Sequence, residues 1–369
     1  MTKVFGFVAE FNPFHNGHKI FIDEIRKKYH PDVLIAIMSG NYVQRGDFAV
    51  LDKWKRSAIA VDMGVDLVVE LPFYGAVQPA NIFAETSIEL LHHLGVTDLV
   101  FGTEERIDMN MLSHQLIADK IEFKQNFNQS YADNLNQELE SQGISLREKP
   151  NKLLGVQYIT SIISRSYMID VHQIIRNPSR FSATYIRKNI GSENGLSIDK
   201  LVPEKTLLSL MNTPILTWND FYFFLRYKIL TNSTNDLQLV YQMVEGLEYK
   251  IKKEMPTSKT FDEFLMSVKS KRYTLARLRR LAMYTLMNVN DKEITDSQAD
   301  LYIHVLAFNI TGQRYLNKYK KNIEIPLITK VGKTESDLMK IELKADAVRK
   351  LVNGQEQNFG VIPYIKGDN

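Results

Sequence analysis

Val4-Phe5-Gly6-Phe7-Val8-Ala9-Glu10-Phe11-Asn12-Pro13-Phe14-His15-Asn16-Gly17-His18 opens the chain, and the fold turns on how it is read. Val4 to Ala9 is apolar and β-branched or aromatic at several positions, which predicts a buried strand. Lys19 to Tyr29 has apolar residues at Ile20, Phe21 and Ile25, which predicts a helix. The turn carrying Asn12, Pro13 and both histidines therefore lies at a helix start. Main-chain N–H groups there lack partners, and the helix dipole adds partial positive charge, so a phosphate is favoured at that spot. Gly17 has no Cβ and lets a ring or phosphate approach the main chain. His15 and His18 are three residues apart and share one side of the first turn. An imidazole donates a hydrogen bond whether neutral or charged, so both are candidates to stabilise charge moving onto a departing pyrophosphate. A surface accident and half of a metal site are the competing readings of the pair, but Asn, Pro, Gly and both His all occupy the turn itself, and no third and fourth ligand follow at compatible spacing.

Further along, strand-like runs at Val33–Met38, Leu67–Leu71 and Leu99–Phe101 alternate with helical stretches at Lys19–Tyr29, Lys53–Met63 and Asn81–Leu94. That alternation predicts a parallel sheet covered by helices, an α/β Rossmann-like architecture, in which ligands bind beyond the carboxyl ends of the strands. Three segments fall there: the histidine turn, the loop Ser39–Asp47, and Gly102-Thr103-Glu104. Residues 105–149 are polar and read as an insertion of exposed helices. Tyr167–Ile175 resumes a strand pattern, and Ser182–Asn189 opens a helix that completes a first domain, 1–195. The rest, 196–369, has helical periodicity at Leu207–Met211, Phe221–Leu225 and Leu275–Met287, and reads as a mostly α-helical C-terminal domain.

The 369 residues suit two domains, and the net charge of +3 is a weak argument for a polyanionic partner. There is no cysteine, which excludes disulfides, thiolate catalysis and cysteine-ligated zinc. The start runs into a strand with no basic segment, apolar stretch and small-residue cleavage site before it. No apolar run is long enough to span a bilayer. A soluble cytoplasmic protein is expected.

Phe181-Ser182-Ala183-Thr184-Tyr185-Ile186-Arg187 places hydroxyls at a helix start and a guanidinium one turn later. Alone it reads as an ordinary N-cap; Ser182 and Thr184 can also bind phosphate, with Arg187 on the face of Thr184. Together, the histidine turn and this string resemble the two signatures of the HIGH-motif nucleotidyltransferase superfamily, whose members attack the α-phosphate of ATP. The stretch Gly6 to His18, with Met38-Ser39-Gly40-Asn41-Tyr42-Val43-Gln44-Arg45-Gly46-Asp47 after it, resembles one branch closely, the bacterial tRNA(Met) cytidine acetate ligase family.

The resemblance implies a HIGH-type nucleotidyltransferase domain. It implies ATP contacts from Val8, Ala9, Glu10, Phe11, Asn12, Pro13, Phe14, His15, Asn16, Gly17, His18, Lys19, Ile20 and Phe21. Gly102, in Phe101-Gly102-Thr103-Glu104, matches a family glycine expected to approach the nucleotide closely. Asn151, in Lys149-Pro150-Asn151-Lys152, and Arg176, in Ile174-Ile175-Arg176, match further nucleotide contacts, joined by Ser182 and Thr184. His15, His18 and Arg187 are the implied catalytic groups. One feature departs from the family pattern: Asn177-Pro178-Ser179-Arg180 directly bridges Arg176 to the serine-threonine motif, where relatives carry a longer connection.

The implied reaction uses ATP, commonly accompanied by Mg2+, to form acetyl-adenylate from acetate, and acetylates N4 of the wobble cytidine of elongator tRNA(Met). Lys269, Lys271, Arg272, Arg277, Arg279 and Arg280 form a basic run interleaved with Tyr273 and followed by Tyr284. Such a run can neutralise phosphates while tyrosines stack on bases, and in this family context it is expected to face tRNA. Lys53 and Arg56 read either as phosphate or RNA contacts or as solvated helix charges. The competing functions are a small-molecule adenylyltransferase of the same superfamily and a non-catalytic nucleotide-sensing RNA-binding protein.

Overall fold

The computed structural model describes residues 2–109, 112, 149–176, 181–190, 198–244 and 246–367. Most of the expected insertion at 105–149, and the bridge Asn177–Arg180, lie outside the described residues.

The opening strand, β1 (Val4–Ala9), lies inside the sheet. On one side it pairs in parallel with β2 (Val33–Ser39), which in turn pairs with β5 (Leu67–Leu71). On the other it meets β6 (Asp98–Thr103), followed by β7 (Asp170–Ile175), again in parallel. The register runs from Val4 opposite Val33 to Ala9 opposite Met38. Because β1 leads to β2 on one flank and the later β6 occupies the other, the chain changes direction of growth between β1 and β6. A crevice opens at such a switch point, beyond the carboxyl ends of the strands. The histidine turn follows β1 directly into that crevice.

β2 is a continuous buried apolar run because both sheet faces are covered. Its alternate side chains divide between two cores. Ile35 and Ile37 pack with Ile88, Leu91 and Leu99 on one face, while Leu34, Ala36 and Met38 pack with Ile22, Ile25 and Ile59 on the other. The helix α1 (Asn16–Tyr29) supplies Ile22 and Ile25, and α2 (Lys53–Asp62) supplies Ile59.

The C-terminal half is mostly helical, including Trp218–Thr231, Leu247–Glu254, Phe261–Val268 and Leu275–Met287. It also returns strands to the first sheet, which helical periodicity alone does not anticipate. β8 (Ile303–Phe308) pairs antiparallel with β5, and the two-residue strands β9 (Leu327–Ile328) and β10 (Tyr364–Ile365) pair with β8. β8 is a six-residue run buried along its whole length. Periodicity cannot distinguish such a run from a buried piece of helix. Within the segment Ser39–Asp47, where the sequence predicts only a loop, β3 (Tyr42–Val43) and β4 (Asp47–Phe48) form a small hairpin. No helix among the described residues is long and apolar enough to cross a membrane.

Candidate active site

The histidine turn is held open by its own aromatic residues. Phe11 sits at φ +47, a left-handed conformation that costs a bulky residue energy, and its ring is fixed against Phe7, Phe14 and His18. The side chains of Phe11 and Phe14 are both core, so only their main chain can face a nucleotide. The side-chain oxygen of Asn12 accepts the Val50 N–H at 2.9 Å, which leaves its main-chain carbonyl to receive Arg187 Nη1 at 2.7 Å.

His15 is the N-cap of α1. Its N–H donates to His18 Nδ1 at 3.2 Å, and its carbonyl accepts the His18 N–H at 2.9 Å. The two rings stack 3.7 Å apart at 17°. Burial, with Arg176 and Arg187 adding to it, pushes His15 down to about 4; burial, then His15 and Arg176, holds His18 well below the usual imidazole range. Both rings are therefore neutral at pH 7. Since His18 Nδ1 is an acceptor, its proton is on Nε2, which is left as a donor. His15 is 2% exposed, and its Nδ1 has no hydrogen-bond partner among the described residues. A buried polar nitrogen without a partner is costly, so this one fits a site completed by a ligand. Gly17 has a different use from the one its sequence suggested: a Cβ there would lie 2.9 Å from His15 Cε1 and 3.2 Å from Phe181 Cβ. Its bareness seats the His15 ring.

A second group converges from β6, β7 and the helix Pro150–Ser164. Arg176 Nη1 donates to Asn151 Oδ1 at 3.1 Å, and Asn151 Nδ2 donates to Glu104 Oε1 at 2.6 Å. Glu104 also accepts the N–H groups of Asn151 and Lys152, capping that helix. Gly102 makes room for the arginine, since a Cβ on it would lie 2.5 Å from Arg176 Cδ. Arg176 lies close enough to the histidines to add to the lowering of both imidazoles, so the fold brings Gly102, Asn151 and Arg176 alongside the histidine pair.

The third group is the short helix Ala183–Asn189. Ser182 caps it by accepting the Tyr185 N–H, and Thr184 accepts from Arg187 Nη2 at 3.2 Å. Arg187 faces Glu10, Asp47, Arg45 and Arg279. Glu10 accepts the Gln44 N–H at 2.9 Å, and burial raises its carboxyl above the usual range despite the arginines nearby. The hairpin is gripped from its other side as well. Trp218 Nε1 donates to Gly46 O at 3.0 Å, Arg279 Nε lies 3.7 Å from Asp47 Oδ1, and the main chain of Arg279 and Arg280 packs on Gly46. Glu104 lies in a segment the sequence placed at the site but without a role, and Trp218 is a contributor that sequence reading missed. Their partners lie 47 and 172 residues away, and no local pattern marks them.

Lys19 pairs with Asp23 on α1, and Ile20 is exposed. Lys53 and Arg56 are neither phosphate contacts nor solvated charges. Lys53 is 0% exposed, with Nζ 3.0 Å from both Glu70 and Asp346. Arg56 is equally buried and donates to the carbonyls of Glu10, Ser39, Gly40 and Leu51. The basic run is divided. Lys269, Lys271 and Arg272 are exposed; Arg277 lies over the Tyr273 ring; Arg279 and buried Arg280 lie under the hairpin. Tyr273 and Tyr284 are buried, the latter donating to Val77 O, so neither can stack on a base. Among the described residues, no group of three or more His, Cys, Asp or Glu could hold a metal ion.

A model of the HIGH nucleotidyl transferase family matches residues 2–360. The tRNA(Met) cytidine acetate ligase of Lactobacillus gasseri is 38% identical over 98% of this chain and 99% of its own length. That of Leuconostoc mesenteroides is 38% identical over 92% of each chain. Among solved structures, Thermotoga maritima TmcAL bound with alpha-thio ATP superposes with a TM-score of 0.88 at 29% identity, covering 100% of both chains. Its apo form superposes at 0.89 with 27% identity.

Proposed function

Since the chain belongs to the HIGH nucleotidyl transferase family, in the branch of the tRNA(Met) cytidine acetate ligases, we propose that it activates acetate with ATP and passes the acetyl group to N4 of the wobble cytidine of elongator tRNA(Met). The observation that carries this reading is the convergence of two neutral, stacked imidazoles, one with an unpartnered buried nitrogen, with Arg176 and Arg187 at the switch point of the sheet.

The chemistry needs activation because the cytosine amine is a weak nucleophile, its lone pair being delocalised into the ring, while acetate has no usable leaving group. An acetate oxygen attacks the α-phosphorus of ATP, the bond to the pyrophosphate breaks, and acetyl-adenylate forms. Cytidine N4 then attacks the acetyl carbon and loses a proton as AMP departs. His18 donates from Nε2 to phosphate oxygens, and His15 from its free nitrogen; Arg187 and Arg176 neutralise charge moving onto the pyrophosphate. Asn151 orients Arg176 and reaches the nucleotide. Mg2+ would enter with ATP, held by its phosphates. Residues 1–195 carry this chemistry in the proposal, and 196–369 carry most of the tRNA contact. A base in an anticodon loop is already accessible, so presenting it to the site costs little.

The test is to incubate the purified protein with ATP, labelled acetate and total tRNA and identify the labelled nucleoside. The expected product is N4-acetylcytidine in elongator tRNA(Met). Acetate-dependent ATP–pyrophosphate exchange without labelled RNA would overturn the second step. Exchange only with another co-substrate would favour a small-molecule adenylyltransferase, and no exchange a nucleotide sensor.

A further inference from the structure

The burial of Tyr273 and Tyr284 leaves the basic run without its expected aromatic partners, and the fold supplies another. On the helix Leu247–Glu254, Tyr249 is 64% exposed, Lys253 one turn on shares its face and is exposed, and Lys250 adjoins them. Lys250 Nζ lies 3.4 Å from the carbonyl of Lys269, the first residue of the run. Met266, 60% exposed, stands three residues before Lys269 on the neighbouring helix Phe261–Val268. From Lys269 the chain passes through exposed Lys271 and Arg272 to the helix Leu275–Met287, whose Arg279 reaches Asp47 beside Arg187.

A band of cations thus leads from the mouth of the nucleotide site to Tyr249. Glu254, half-buried, borders Lys253 at the end of the same helix; of the other carboxylates nearby, Glu248 is buried, Glu263 accepts the Lys259 N–H, and Asp262 is at the far end of its helix from Lys269. Lys252 is turned away, donating to the carbonyl of Asn232.

We infer that Tyr249, flanked by Lys250 and Lys253, is the outer stacking platform for tRNA: it holds an unpaired base of the same RNA whose cytidine enters the active site, while the lysines and the run from Lys269 neutralise its backbone. The inference rests on the proposal that RNA is the acceptor. A flat, exposed ring bordered by ammonium groups matches the chemistry of a base with phosphates on either side, and a polyanion complements the positive charge of the band.

The experiment compares the full-length protein with Tyr249→Ala, Tyr249→Phe and the double variant Lys250→Gln, Lys253→Gln. The readouts are tRNA affinity at several salt concentrations and acetylation as a function of tRNA concentration. Pyrophosphate exchange without tRNA serves as the reference on each preparation. Tyr249→Ala should weaken tRNA about tenfold, as loss of one base–aromatic stack does, and Tyr249→Phe should restore it. The lysine double variant should flatten the slope of log affinity against log salt by about 0.7 for each phosphate left without its ammonium partner. Wild-type protein that acetylates tRNA while all three variants bind it within twofold of wild type would overturn this inference alone. Wild-type protein that acetylates no RNA would overturn the proposed function and this inference with it.

Discussion

Arg187 Nη1 donates to the main-chain carbonyl of Asn12 at 2.7 Å, so a helix 175 residues downstream closes directly on the loop that carries the histidines. The same guanidinium reaches Thr184 through Nη2. Two separate N–H directions are in use, which a lysine cannot reproduce from one ammonium point. Arg187→Lys should keep the charge but lose the clamp, lowering acetate-dependent pyrophosphate exchange by about 100- to 1,000-fold, the range found for removing a preorganised donor. Thermal stability should barely move. An exchange rate within twofold of wild type would remove Arg187 from the catalytic groups.

His18 serves the loop and the substrate with different nitrogens. Nδ1 accepts the N–H of His15, and Nε2 is left as a donor. His18→Ala should abolish exchange while tRNA binding persists, since the basic band lies elsewhere. His18→Asn, whose side-chain oxygen can replace Nδ1 as acceptor, should recover folding stability but not activity. Measuring exchange and melting temperature on both variants separates the two duties, and an active alanine variant would contradict the role.

Gly102 and Arg176 make a steric prediction. A methyl at 102 would sit 2.5 Å from Arg176 Cδ and 2.8 Å from Cγ, far inside contact distance, yet against a flexible side chain that can move aside. Gly102→Ala should therefore fold, displace Arg176 from Asn151, and raise the KM for ATP several-fold. Gly46→Ala is the contrast. There φ is +75 and the obstruction, 2.5 Å away, is the main-chain nitrogen of Arg280, which cannot step back. It should lower the melting temperature instead. Circular dichroism melts beside ATP saturation curves test both, and a stable Gly46 variant would mean that the hairpin is not clamped as described.

How far the sequence could be read follows from where the partners of each residue lie. β1, β5 and the helix Leu275–Met287 have the bounds that local pattern predicted, because each buries a continuous or periodic apolar face. The site residues around His15 were legible because turn, glycine and histidines are neighbours in sequence. Arg176, Asn151 and Gly102 came from resemblance, and the structure brings them to the same crevice. Burial of charge was not legible. Lys53 looks like any helix-start lysine until Asp346, 293 residues later, is placed beside it. Nor could Tyr273 and Tyr284 be distinguished from exposed tyrosines, since their cover comes from helices packed on them and not from their own neighbours.

That burial makes Lys53 a test of stability. Its ammonium bridges Glu70 and Asp346, and their attraction pushes it above the ordinary lysine range despite complete burial. Removing one partner leaves two carboxylates in the interior, a change that costs about 3–5 kcal/mol. Lys53→Met should lower the urea midpoint in proportion and leave the KM for ATP unchanged in whatever protein remains folded. A normal urea midpoint with a selective loss of ATP affinity would instead restore the phosphate-binding reading.

The His15 titration gives a prediction in pH. Burial lowers its folded-state value to about 4, whereas in the unfolded chain it returns to about 6.5. Between those limits the unfolded chain holds the extra proton, so stability rises with pH across the window. The contribution of this group is complete above 6.5, declines as pH falls, and is gone by 4, a change of the order of 3 kcal/mol. Replacing His15 with Asn should flatten the stability profile between pH 6.5 and 4 relative to wild type, read by urea unfolding at stepped pH. A bound triphosphate acts in the opposite direction. Its negative charge beside the ring favours the imidazolium and raises the His15 value from about 4. ATP binding at a pH of about 5.5, between the two values, should therefore take up protons. The uptake is measurable by calorimetry in buffers of different ionisation enthalpy, and it should disappear in His15→Asn. Binding with no proton uptake in the wild type would place the phosphates away from this imidazole.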